Sequence, residues 1–138
     1  MSRLKLDPEI FGLTSFWERL TGVPVKDCFQ QEEMLYVVVP PGMMGKIIGK
    51  EGVIIRQAQF QLKKTIRVVE FSENLGVFVQ NFLAPLQVES VTIQGDTVLL
   101  QDPRRRIKGQ LLGRGGKQLQ VLQRAVQRFF PGKEVKVV

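Results

Sequence analysis

The 138-residue sequence predicts an α+β fold made twice over, two tandem copies of an α-β-β-α-α-β unit, each a three-stranded sheet packed by helices. Three observations carry this. Gly45-Lys46-Ile47-Ile48-Gly49-Lys50-Glu51-Gly52-Val53-Ile54-Ile55 returns, 64 positions later, as Gly109-Gln110-Leu111-Leu112-Gly113-Arg114-Gly115-Gly116-Lys117-Gln118-Leu119. The stripe Ile55, Ala58, Leu62 (i, i+3, i+7) is matched by Leu119, Leu122 and Val126, as two equivalent amphipathic helices require. Helix and strand signals also succeed one another in the same order in both halves. The boundary falls at Phe71/Ser72, giving domains over residues 1–71, with 1–7 as a flexible tail, and 72–138. Units of this size sit near the lower end of what folds alone, so the halves are expected to form a rigid pair.

In the first half, Asp7-Pro8 is an N-cap followed by proline at the first helical position, opening a helix that runs to about Leu20 and stops at Gly22 and Pro24. Val25–Gln30 and Met34–Pro40 read as strands around the polar turn Gln31-Glu32-Glu33. Pro40-Pro41-Gly42 turns the chain into a short helix, Met43–Ile48. The Gly49–Gly52 loop follows, then a longer helix to about Lys64 and a closing strand, Ile66–Phe71.

The second half repeats the scheme. Ser72 is expected to cap a helix over Glu73–Ala84, which Pro85 ends. Leu86–Ile93 and Thr97–Gln101 are strands joined through Gly95-Asp96. Asp102-Pro103 is a second Asp-Pro helix start before Gly113. Lys117–Phe130 forms the long helix, stopped by Pro131-Gly132, and Glu134–Val138 closes the sheet.

Composition excludes much chemistry. With no histidine and a single cysteine, Cys28, neither common zinc-ligand sets nor histidine-based triads can be assembled. Cys28 reads as a small buried apolar residue. No metal site, cofactor or catalytic residue is expected. A P-loop is ruled out because Met44 stands where its first glycine belongs and Glu51 replaces its hydroxyl residue. No apolar stretch reaches membrane-spanning length and no signal-peptide core is present, so a cytoplasmic, non-membrane protein is expected.

Charge points the other way, towards a polyanion. The formal net charge is +7, and residues 103–128 hold eight Lys or Arg with no Asp or Glu. A two-glycine turn with a basic residue inside lets a backbone approach phosphates closely. Two such turns point to a single-stranded nucleic acid bound along an extended track.

The runs Ile48-Gly49-Lys50-Glu51-Gly52-x-x-Ile55 and Leu112-Gly113-Arg114-Gly115-Gly116-x-x-Leu119 resemble the signature of K-homology (KH) domains, and the element order resembles the type II form. As a tandem with almost no linker, the chain is similar to archaeal NusA-like transcription termination and antitermination factors, over about residues 8–138. The resemblance implies a protein that holds single-stranded RNA, the nascent transcript, and it alone implies a contact with RNA polymerase; a monomer is the default expectation. In that family's fold the loop clamps a backbone with roughly four nucleotides in the adjoining groove.

Carried onto this sequence, the glycines Gly49, Gly52, Gly113, Gly115 and Gly116 make room for sugar-phosphate, and Lys50, Arg114 and Lys117 are the leading phosphate contacts. Lys46, Arg56, Lys108, Arg104, Arg105 and Arg106 form a second tier; Ile48, Ile55, Leu112 and Leu119 line the groove or the core. Glu51 departs from the family pattern, because a carboxylate beside the phosphate path leaves the first loop formally neutral. The second loop is therefore expected to bind more strongly, and Glu51→Gly to tighten binding. Two other readings share these residues: an RNA adaptor in ribosome maturation, and a protein scaffold that has lost RNA binding.

Overall fold

The computed structural model describes residues 8–31 and 33–138. The Asp7 cap, the tail over 1–7 and Glu32 in the first turn lie outside the described residues. Packing divides the chain into two compact units, one ending at Ser72 and the other running from Glu73 to Val138.

The first unit consists of α1 (Pro8–Thr21), β1 (Asp27–Gln31), β2 (Met34–Val39), α2 (Met44–Ile48), α3 (Val53–Leu62) and β3 (Thr65–Glu70). The second repeats the order as α4 (Leu75–Leu83), β4 (Ser90–Gln94), β5 (Thr97–Gln101), α5 (Arg105–Leu112), α6 (Lys117–Phe129) and β6 (Glu134–Val137). A single 3-10 turn, Lys50–Gly52 or Arg114–Gly116, links each short helix to its long one. The fold is thus the predicted α+β tandem.

Sheet order is β1-β2-β3 and β4-β5-β6. The first two strands of each sheet form an antiparallel hairpin, while the third pairs parallel with the middle one, from Met34↔Thr65 to Val39↔Glu70 and from Thr97↔Glu134 to Leu100↔Val137. A parallel pair needs a long crossover, and the short helix, glycine loop and long helix supply it. The loop is therefore built into the connection that closes the sheet.

Each core forms where the sheet meets these helices. In the first unit Leu35, Val37 and Val39 alternate along β2 towards Trp17, Cys28, Ile47 and Ala58, all fully buried. Cys28 is thereby the buried apolar residue the sequence suggested. In the second unit Val98 and Leu100 of β5 are buried with Ile107 and Leu111 of α5 and Val121, Leu122, Ala125 and Val126 of α6. Phe78 of α4 meets Phe129 and Phe130 at ring-centroid distances of 5.7 Å each.

One polar device recurs at the repeat offset. Gln59 of α3 accepts a hydrogen bond from the Ile66 N–H at 3.0 Å, and Gln123 of α6 accepts one from the Val135 N–H at 2.6 Å. Each acceptor thus holds the second residue of the closing strand. The Gln123 amide also donates to the Lys133 carbonyl at 2.9 Å.

Element ends shift by one or two residues in the first unit, where β1 begins at Asp27 and not Val25, and three boundaries of the second unit shift by two or more. Asn74, rather than Ser72, caps α4: its side chain accepts from the Val77 N–H at 3.1 Å, and the helix begins at Leu75. The strand expected from Leu86 begins only at Ser90, and the helix expected at Pro103 begins only at Arg105. Both shifts trace to Asp102, which is 2% exposed. Its carboxylate accepts from the Glu89 N–H (3.0 Å), the Arg104 N–H (2.9 Å) and the Arg104 guanidinium (2.8 and 2.7 Å). Arg104 in turn donates to the Gln87 carbonyl at 3.3 Å. Side chains thus satisfy backbone groups at 87 and 89 that a longer strand would have paired.

The Arg104 guanidinium, assisted by the backbone N–H groups of Arg104 and Glu89, holds the Asp102 carboxyl well below the usual carboxylate range. A depressed folded-state pKa gives stability that is complete above the ordinary value of about 3.9 and is lost as pH falls below it. Asp102→Asn is expected to lower stability at neutral pH, with the gap to wild type narrowing below about pH 4 in urea titrations run across pH. Gln123→Ala is expected to cost about 1–3 kcal/mol in the same assay, since it strands the Val135 N–H.

Candidate nucleic-acid interface

The two glycine loops share one backbone. The first glycine has φ/ψ of 82/168° at Gly49 and 75/171° at Gly113; the last has 75/17° at Gly52 and 77/12° at Gly116. Between them, Glu51 at 55/25° matches Gly115 at 64/20°. The hydrogen bonds agree as well. Gly52 N–H donates to the Gly49 carbonyl and Gly116 N–H to the Gly113 carbonyl, both at 3.1 Å.

Two different constraints select these glycines. A Cβ on Gly49 would stand 2.7 Å from Ile54 Cγ1 and 2.9 Å from the Ile54 backbone nitrogen. On Gly113 it would stand 2.6 Å from Gln118 Cβ and 2.7 Å from the Gln118 nitrogen. The first glycine is required by contact as well as by its dihedral angles, which are nearly glycine-only. Gly116 has open space around a Cβ, so only its left-handed φ selects glycine there.

The N-cap of each long helix is a glycine, which offers no side-chain acceptor to the first-turn N–H groups. These N-termini carry the positive end of the helix dipole. In the second loop Arg114 and Lys117 are both exposed at that positive end, so side-chain and helix charge there have the same sign. In the first loop Lys50 shares the exposed tip with Glu51, and Val53 stands where α6 has Lys117. One loop is cationic and its twin is self-neutralised.

The remaining candidates scatter around this pair. Ile47 and Leu111 are buried, whereas the next residues face outward, Ile48 half-buried and Leu112 40% exposed. Ile55 and Leu119 are half-buried on the long helices, and Lys46 is exposed on α2. Arg56 is exposed on α3 and donates to the Glu51 carbonyl. Lys108 is half-buried on α5, while Arg105 and Arg106 are exposed in its first turn, about two turns from Gly113. Arg104 lies before the helix with its guanidinium held by Asp102.

Two features escaped the sequence reading. Phe60 is 84% exposed on α3, whereas Phe29, Phe78 and Phe82 are fully buried. Its equivalent at the repeat offset is Arg124, and that polar counterpart was the available signal. The positive φ at Glu51 was likewise visible only by alignment with Gly115.

Fold and loops together define a tandem of type II KH domains. Over 99% of its length the chain is 31% identical to a probable transcription termination protein NusA of Methanococcus vannielii, covering 80% of that protein. The Halococcus morrhuae protein of the same name is 29% identical, with 98% of this chain and 99% of that one aligned. The crystal structure of APE1850 superposes with a TM-score of 0.78 at 27% identity, over 96% of this chain and all of that one. No protein-family model matches the chain. The chain belongs to the archaeal NusA-like transcription termination protein family.

Gly113→Ala is expected to destabilise the second unit by about 2–4 kcal/mol, combining left-handed strain with overpacking. Gly116→Ala is expected to cost about 1–2 kcal/mol, from strain alone. Thermal denaturation of the two variants side by side checks the ranking.

Proposed function

We propose that this protein is a single-stranded RNA-binding factor of transcription that holds the nascent transcript by its sugar-phosphate backbone at two Gly-x-x-Gly loops, with no chemistry of its own. The observation that carries this reading is the second loop. Arg114 and Lys117 are exposed at a positive helix end whose cap has no side chain, and a Cβ on Gly113 is sterically barred. Backbone amides and cations there face a space suited to an anion. Its twin has the same backbone with its charge cancelled, so the second loop supplies most of the affinity and the first guides the strand.

The names of the relatives support a role in transcription termination. A contact with RNA polymerase belongs to the same proposal and draws on family membership. A second reading, in which the first unit serves a protein partner, draws on the exposed Phe60 and the neutralised first loop.

Fluorescence anisotropy with random-pool RNA of about 4, 8 and 12 nucleotides tests the main reading. Affinity is expected to rise with length across both loops. It is expected to fall with salt at a log–log slope of roughly −3 to −4, for about five phosphates. Arg114→Ala is expected to lose about tenfold in affinity and Lys50→Ala about twofold to threefold. Absence of binding at low salt for every length would overturn the RNA reading; equal losses in the two variants would overturn the ranking of the loops.

A further inference from the structure

Glu51 occupies a backbone conformation that its twin assigns to glycine. At φ 55°, ψ 25° it lies in the left-handed region, which a side chain disfavours, whereas Gly115 holds φ 64°, ψ 20° without that cost. The two loops nevertheless have the same shape. An interaction present only in the first loop can offset that strain.

Arg56 supplies it. From the first turn of α3, its Nη1 donates to the main-chain carbonyl of Glu51, the strained residue itself. The same nitrogen lies 3.2 Å from the position a Cβ on Gly52 would occupy, so the guanidinium lies beside the last glycine of the loop. At the equivalent position α6 carries Gln120, which makes no such bond, and there glycine at 115 makes one unnecessary. A guanidinium suits the task because its fork presents several donors, leaving others directed outward when one is held by the carbonyl.

We propose that Arg56 is a positioning residue that holds the first loop in its ligand-ready shape against the strain at Glu51, so that Arg56 and Glu51 act as a coupled pair. The consequence for RNA rests on the function proposed above; the effect on the loop does not. An arginine acting only as a phosphate contact would matter equally whichever residue stood at 51. A positioning arginine becomes dispensable once 51 is glycine.

The experiment is a cycle of Arg56→Gln, Glu51→Gly and the double variant, all at exposed positions. Amide hydrogen exchange at Gly52, whose N–H donates to the Gly49 carbonyl, reads the loop without ligand. Anisotropy with an RNA 8-mer reads binding. Arg56→Gln alone is expected to speed Gly52 exchange by about fivefold to tenfold, and to weaken RNA binding by about twofold to threefold, the share of the first loop. In the Glu51→Gly background the same change is expected to alter exchange by less than about twofold. Unchanged exchange in Arg56→Gln, or equal acceleration in both backgrounds, would overturn the proposal. An equal loss of RNA affinity in both backgrounds with unmoved exchange would reduce Arg56 to a phosphate contact. If exchange follows the expected pattern while the wild type binds no RNA, the positioning role stands and the RNA reading falls.

Discussion

Everything in this molecule turns on a place where no atom can stand. At Gly49 and Gly113 the chain folds back so tightly on the start of the next helix that a single methyl group would collide with backbone. That approach turns each short helix into its long one within a few residues. It also brings the backbone of the turn to the surface with no side chain at its first or last corner. The aliphatic pair before the turn is divided accordingly, Ile47 and Leu111 inward, Ile48 and Leu112 outward. Loop geometry, helix placement and sheet closure are one constraint seen at three scales.

The two units compare like with like. Their loops agree in dihedral angles and in hydrogen bonds, so differences between them are matters of side chain alone. The second is cationic and rests on glycine wherever φ is positive. The first has accepted a carboxylate at a left-handed position and neutralised its own charge. The long helices diverge in parallel: α6 carries Lys117 and Arg124 where α3 carries Val53, 53% exposed, and Phe60. A common scaffold carries cations on the second loop and long helix, and a nearly neutral, more apolar set at the same positions of the first.

Much of this was legible in the residues. The internal repeat, the element order and the family membership followed from glycine spacing, proline punctuation and aliphatic stripes, all local signals. What could not be read depended on contacts between distant segments. Asp102 looked like a helix cap because Asp-Pro often is one, yet it bonds to Glu89 and delays both a strand and a helix. Ser72 lost the capping role to Asn74, two residues on, because the turn geometry decides which polar side chain meets a helix N–H. Gln59 and Gln123 are identical at the repeat offset and could have been noticed, but a glutamine on an amphipathic helix carries no mark that it will hold a strand. The exposure of Phe60 was hidden because hydrophobicity alone says nothing about which side of a helix is covered.

The parallel pairing of the third strand has a consequence for how each unit is assembled. The hairpin of the first two strands is local and can zip within microseconds. The last strand must wait until the whole crossover has closed a much longer loop, whose entropy is lost before any of its contacts form. The glycine turn lies inside that crossover, so the sheet cannot close around any other shape of the turn. Whatever grips the turn also fastens the sheet, and a bound ligand would be felt as slower unfolding of the entire unit.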